Sequence, residues 1–199
     1  MKLLDRLNLK LNNYLVIDDF FPEKLSTQLQ QLTLKYDGRL HQWPDYQAIN
    51  FDREEGDLSL KMIAEEFVCP KVSFLKKDSY DRAWSLRFNT TSNGVGPHTD
   101  PSYYTVNVWV TPDDSVADEN KNGLKIYRKK RPRGDWEIYN NWGKEQIEEY
   151  LKDVKYDIVP YRFNRAVIFR GDTYHETNSV EMRPGIENVR VSYAFLYNK

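Results

Sequence analysis

The sequence predicts an α+β domain that is mainly β, with N-terminal helices laid against a β-barrel. Helical spacing of apolar residues is concentrated before Trp84, while beyond it the texture turns to short runs of period-two alternation separated by turn residues. Strands and helices do not alternate regularly, which argues against a doubly wound sheet. The chain has 199 residues, 40% hydrophobic and 14% aromatic, enough for one compact core. No linker, internal repeat or low-complexity stretch divides it, so residues 1–199 are read as a single domain.

Tyr14-Leu15-Val16-Ile17 opens as a short buried strand, and Pro22 suits the first turn of a helix. Leu25, Leu29 and Leu32 then recur at helical spacing, as on an amphipathic helix lying on a larger body. Residues 36–57 carry Gly, Pro, Asp and aromatic residues and read as loop with room for a strand; 58–67 reads as a second short helix. Strands are expected at 84–88, 103–110, 123–128, 156–160, 166–169 and 189–197. One helix interrupts them over 143–154, where Ile147, Tyr150, Leu151 and Val154 share a face. The acidic stretch 112–122 reads as an exposed connection.

Lys and Arg total 29 against 30 Asp and Glu, a net charge of -1. That balance gives no global attraction to nucleic acid or anionic membrane. A single cysteine, Cys69, rules out an intramolecular disulfide and points to a reducing compartment, the cytoplasm being the simplest. In its apolar setting it reads as a small buried residue rather than a nucleophile. No apolar run approaches a membrane span, and Met1 to Arg6 lacks the pattern of a signal peptide.

Histidine is scarce, with 3 in the chain. His98-Thr99-Asp100 follows a Gly- and Pro-containing loop and precedes a strand, and on extended backbone residues i and i+2 point to the same side. An imidazole and a carboxylate so placed can converge on one ion. His175, 75 residues later (175 − 100), follows a buried-looking strand and can return beside them. Two imidazoles and one carboxylate leave coordination positions open, the ligand set of non-haem iron(II) oxygenases. A His-x-Asp alone is a weak signal, as is one histidine after a strand.

Arg190-Val191-Ser192 strengthens the case, 15 residues past His175 (190 − 175). On a strand Arg190 and Ser192 face the same way and can grip one carboxylate, the guanidinium as a fork and the hydroxyl as a second donor. The apolar flanks suggest burial, and a buried charge without a partner is costly. The partner is either a protein carboxylate or a ligand's; beside metal ligands, the ligand reading is stronger.

The order of these motifs resembles the 2-oxoglutarate and iron(II)-dependent oxygenases, especially their prolyl-hydroxylase-like branch. Val16-Ile17-Asp18-Asp19-Phe20-Phe21-Pro22 leads into a helix. Leu86-Arg87-Phe88-Asn89 leads through a Gly-containing loop to His98, Thr99 and Asp100. Strands like Val106 to Val110 and Gly123 to Tyr127 follow, and the closing run holds His175, Arg190 and Ser192. The resemblance covers most of the chain. It implies a double-stranded β-helix (jelly-roll, cupin-like), with Fe(II) held by His98, Asp100 and His175, and 2-oxoglutarate and dioxygen as co-substrates. The far carboxylate of 2-oxoglutarate would meet Arg190 and Ser192. The implied reaction converts 2-oxoglutarate to succinate and carbon dioxide while hydroxylating a small-molecule or peptidyl substrate. Halogenating relatives have Ala or Gly at the position of Asp100, so hydroxylation is implied over halogenation. The chain departs from the prolyl-hydroxylase branch in having Arg190-x-Ser192 where a Lys is usual, and Asn122-Gly123 where Gly-Gly is common.

Tyr104 and Asn107 lie on opposite faces of one expected strand, and whichever face lines the barrel supplies a further co-substrate contact; core packing of Tyr104 is the competing reading. Arg87 and Asn89 are weaker candidates for substrate contact. The basic run 128–133 reads as a solvated loop before an anion site, and Trp136 and Trp142 as core before an aromatic rim. His41 has no metal-compatible neighbour. Two other classes fit parts of the pattern. A cupin-like metalloprotein that does not use 2-oxoglutarate would leave Arg190 and Ser192 unexplained, and a non-enzymatic barrel would make the histidines incidental.

Overall fold

A computed structural model describes residues 9, 11–37, 40–51, 57–134, 136–140 and 142–199. The N-terminal hexapeptide and part of the stretch 36–57 therefore lie outside the described residues. In chain order the elements are β1 (Tyr14–Ile17), α1 (Glu23–Lys35), β2 (His41–Gln42), β3 (Tyr46–Phe51) and α2 (Asp57–Ile63). The last runs on through a π-helical turn (Ala64–Val68) and a short α turn (Cys69–Lys71). Then come β4 (Tyr80–Phe88), β5 (Thr91–Ser92), β6 (Tyr104–Trp109), β7 (Leu124–Lys130), α3 (Trp136–Asn140) and α4 (Lys144–Leu151). The chain closes with β8 (Tyr156–Val159), β9 (Ala166–Arg170), β10 (Thr173–Thr177), β11 (Val180–Glu181) and β12 (Val191–Tyr197).

Seven strands form one sheet in the order β1-β9-β6-β12-β4-β3-β2, and β10-β7-β8 form a second; β5 and β11 make a short pair. All named pairings are antiparallel. The alternation of side chains divides the large sheet into two faces. On β9, Ala166 and Ile168 join Leu29, Leu60 and Val68 of the helices in one core. Val167 and Phe169, one residue out of phase, pack with Leu124 and Ile126 of β7 and Val159 of β8. Helices thus cover one face of the large sheet, and the small sheet faces the other. Each fully buried aliphatic or aromatic side chain contributes about 1.5–3 kcal/mol to holding these layers.

Helix α1 does not bury the stripe its leucines suggested. Leu32 is 44% exposed, and the buried face runs through Ser26, Leu29, Gln30 and Thr33. Three polar residues sit there because each finds a partner: Ser26 Oγ donates to Asn164 Oδ1 (2.9 Å), Gln30 Nε2 to the Glu187 carbonyl (3.0 Å), and Thr33 Oγ1 to Tyr193 Oη (2.8 Å). A satisfied buried polar group carries little penalty, so hydrogen bonding overrides the hydrophobic pattern. The stretch 36–57 also holds more strand than expected, since β2 and β3 extend the large sheet beyond β4.

Candidate metal centre

The turn between β9 and β10 brings the two halves of the site together. His98 pairs with His175 as an antiparallel bridge, each backbone N–H donating to the other's carbonyl at 3.0 Å. Asp100 N–H donates to the Gly171 carbonyl (2.9 Å), and Gly171 N–H to the Tyr103 carbonyl (3.1 Å). A Cβ at residue 171 would stand 2.2 Å from the Ser102 carbonyl oxygen, so only glycine permits this approach. The segment 98–100 thereby runs along β10 and the turn before it, joined by one bridge and one backbone bond, which places the side chains of residues 98, 100 and 175 in one space.

Their ligand atoms all lie within 4.8 Å of one another. Nε2 of His98 is 3.9 Å from Asp100 Oδ1, and Nε2 of His175 is 3.7 Å from Oδ2. The opposite ring nitrogens face backbone carbonyls, His98 Nδ1 that of Gly96 (2.8 Å) and His175 Nδ1 that of Thr173 (3.1 Å). A carbonyl can only accept, so each Nδ1 carries the proton and each Nε2 offers its lone pair to the shared space. Burial, and then the neighbouring His98, pull the pKa of His175 down to about 4, against a smaller upward effect of Asp100. His175 is therefore neutral and ready to ligate at physiological pH. The aspartate and His175 are almost wholly buried, whereas the His98 side chain is 32% exposed, so the cluster opens to solvent on the His98 side.

Thr105 on β6 orients the carboxylate: its hydroxyl donates to Asp100 Oδ2 at 2.6 Å. Thr105→Val keeps the volume and removes the donor, and is expected to weaken metal binding about 10- to 100-fold. Calorimetric titration with manganese(II), beside an unchanged circular dichroism spectrum, checks this.

The same cavity, about 40 Å³ in volume, continues inward from the three ligands past Thr105, Asn107, Phe169 and Leu124 to Arg190 and Ser192. Arg190, just before β12, is buried. Its Nε donates to the Asn122 carbonyl (3.0 Å), but one terminal nitrogen is buried without a hydrogen-bond partner, and no carboxylate pairs with the guanidinium among the described residues. Aromatic faces surround it instead: the guanidinium carbon lies 4.6 Å from the ring centre of Phe88, 5.7 Å from Trp109 and 5.8 Å from Tyr161. Burial lowers its pKa to about 10, which still leaves it cationic at neutral pH. Asn107 Nδ2 is likewise buried with no partner. A buried cation with no carboxylate partner and an amide nitrogen with no acceptor, among the described residues, suit a carboxylate ligand.

No protein-family model and no curated protein matches the sequence. Solved structures do match in three dimensions. The non-haem α-ketoglutarate-dependent carbocyclase SnoK of nogalamycin biosynthesis superposes with a TM-score of 0.71 at 12% identity, over 99% of this chain and 83% of that one. HygX from Streptomyces hygroscopicus, crystallised with nickel and 2-oxoglutarate, gives 0.67 at 10% identity, over 100% and 87%. A Pseudomonas putida prolyl-4-hydroxylase gives 0.56 at 9%, over the whole of both chains. The chain shares their fold. At such identities the likeness extends to architecture, and it does not single out the prolyl-hydroxylase branch, whose member among these three superposes least well.

On this oxygenase-like fold the sequence-derived residues divide cleanly. His98, Asp100, Asn107, His175, Arg190 and Ser192 line one cavity. Tyr104 does not: it lies on the opposite face of β6, its ring centre 4.9 Å from that of Phe74, packed against the helix-side core. Arg87 also faces the helices, bonded to Gln47 and the carbonyls of Thr33 and Leu34, and exposed Asn89 donates to the Pro44 carbonyl. Within the basic run Arg128 pairs with Asp157 (3.1 Å), Lys130 with Asp172 (3.6 Å), and Lys129 lies over the Tyr150 ring, while one terminal nitrogen of Arg131 is buried without a hydrogen-bond partner. Trp142 packs in a satellite core with Tyr127, Ile147, Leu151 and Tyr174. Thr105 had a legible place on the cavity side of β6, although nothing local marked its bond to Asp100.

Proposed function

We propose that the chain is a non-haem iron(II) and 2-oxoglutarate-dependent dioxygenase that hydroxylates a small-molecule or peptidyl substrate. The observation that carries this reading is one cavity with a convergent His98–Asp100–His175 cluster at one end and, further in, a buried guanidinium, Arg190, that has no carboxylate partner among the described residues. We read the two facing sheets as a double-stranded β-helix of jelly-roll, cupin-like type, buttressed by α1 and α2, and residues 1–199 as a single domain of that kind. A cytoplasmic setting accords with the lone buried cysteine. No helix among the described residues is long and apolar enough to cross a membrane.

Each part has residues suited to hold it. The three ligand side chains would take iron, their tautomers fixed by the Gly96 and Thr173 carbonyls. Arg190 and Ser192 would hold the far carboxylate of 2-oxoglutarate, with Asn107 as a further donor. When bound, iron with 2-oxoglutarate and dioxygen supplies the oxidising power that is coupled to release of succinate and carbon dioxide. The protein orients these groups, excludes water with Leu124, Phe169 and Ala194, and presents Trp84, Leu86 and Val95 as an apolar wall. SnoK is named for carbocyclisation, so this fold hosts more than one oxidative outcome. The aspartate at position 100 accords with hydroxylation over halide transfer. A cupin-like protein without 2-oxoglutarate would leave Arg190 with an uncompensated buried charge.

Anaerobically loaded iron(II) protein, given 2-oxoglutarate and then air, is expected to release succinate in excess of a metal-free control. Uncoupled turnover without the primary substrate is slow, so 2-oxoglutarate binding is measured in parallel. Absence of both would overturn the proposal.

A further inference from the structure

The connection between β7 and β8 is long and carries α3 and α4. It covers the outer face of the small sheet, where Trp142, Tyr150 and Val154 pack against Tyr127, Ile147, Leu151 and Tyr174. Its two ends are tied down by backbone bonds, Arg131 N–H to the Asp172 carbonyl and Arg128 N–H to the Lys155 carbonyl, both at 2.8 Å. From this cover one side chain reaches the metal centre. Trp136, the first residue of α3, donates its indole Nε1–H to the carbonyl of Thr99 at 2.8 Å.

Thr99 is the residue between two ligands, and its carbonyl points the wrong way for the sheet. Backbone groups of residues 98 and 100 bond inward to His175 and Gly171. On extended backbone the groups of residue 99 then point outward, to the unpaired edge. Thr99 is only 4% exposed, so its carbonyl needs a protein donor there. The indole supplies it and thereby fixes the peptide plane that joins Thr99 to Asp100.

We propose that Trp136 is a positioning residue for the metal centre: its indole N–H clamps the free edge of the ligand strand and couples the order of the β7–β8 connection to metal binding. The inference rests on the oxygenase reading only in requiring that His98, Asp100 and His175 bind a divalent metal. It concerns no step of the reaction. A tryptophan that merely packed would leave metal affinity alone.

The test uses the full chain and two variants, Trp136→Phe and Trp142→Phe, titrated calorimetrically with manganese(II) and examined spectroscopically with cobalt(II). Trp136→Phe keeps an aromatic ring and loses the donor. It is expected to raise the manganese dissociation constant about 10- to 100-fold, in the range of other partners that orient ligands. It should also alter the cobalt ligand-field spectrum, with the melting temperature of the metal-free protein little changed. Trp142→Phe, in the same cover but away from Thr99, should leave both readouts at wild-type values. Unchanged affinity in Trp136→Phe, or equal losses in the two variants, overturns the clamp. Should Trp136→Phe fail to fold, wild-type hydrogen exchange decides: zinc(II) should slow exchange in 136–140, and no slowing refutes the coupling. Wild-type protein that binds no metal would instead sink the oxygenase reading, so the two failures are distinguishable.

Discussion

Asp100→Ala is expected to reduce iron-dependent succinate release to background and to weaken metal binding by more than the roughly 10- to 100-fold that outer partners cost. The reason is geometric. Asp100 is the only carboxylate in the cluster, and its two oxygens face the two imidazole Nε2 atoms from 3.9 and 3.7 Å. Removing it leaves two imidazoles with no negative charge to offset a divalent cation. The fold should barely notice. Thr105 loses its acceptor in Asp100 but keeps Ser102 Oγ at 2.9 Å, so the metal-free protein loses about 1 kcal/mol, the net worth of one hydrogen bond. Calorimetric metal titration and a thermal melt of the metal-free variant check both halves. Retained metal affinity would show that Asp100 is not a ligand.

Arg190→Met should separate co-substrate binding from stability. Loss of a buried cation from a carboxylate complex costs about 2–5 kcal/mol, or roughly 30- to 5,000-fold in affinity. Binding of 2-oxoglutarate should fall by that order while manganese(II) binding alone stays near wild type. Stability of the ligand-free protein should hold or rise, because Arg190 is 1% exposed with no carboxylate partner among the described residues, and an apolar side chain of similar length often serves better at such a place. The lost bond from Nε to the Asn122 carbonyl (3.0 Å) offsets part of that gain. A melting temperature lowered by several degrees, with metal and 2-oxoglutarate binding lost together, would mark Arg190 as a structural residue.

Much of this architecture is legible in the alternation of side chains, because a two-residue period translates directly into faces. The pattern Thr105-Val106-Asn107-Val108 put Asn107 on one side of β6 and Tyr104 on the other. Only the packing of Phe74 and the helices on Tyr104 decided which side lines the cavity. His98 and Asp100 were readable as a pair for the same reason. β10 was not readable as a strand: Gly171 and Asp172 separate it from β9 by a tight turn, and its pairing with β7 shifts register between Thr173 and His175. The buried face of α1 was misread because Ser26, Gln30 and Thr33 are anchored by residues more than 130 positions away at Asn164, Glu187 and Tyr193. For Trp136 the sequence offered core packing ahead of an aromatic rim, and its bond to Thr99 was not legible for a related cause. Its bond to Thr99 spans 37 residues, and no local pattern marks a side chain whose role is set by a carbonyl on another strand.

The most direct measurement is a calorimetric titration of 2-oxoglutarate into the protein with and without one equivalent of manganese(II). If His98, Asp100 and His175 form one metal centre that shares its cavity with Arg190, binding should be tight with the metal, weak without it, and equally weak in Asp100→Ala under either condition. Equal affinity with and without metal, or a metal response that survives in Asp100→Ala, would contradict it.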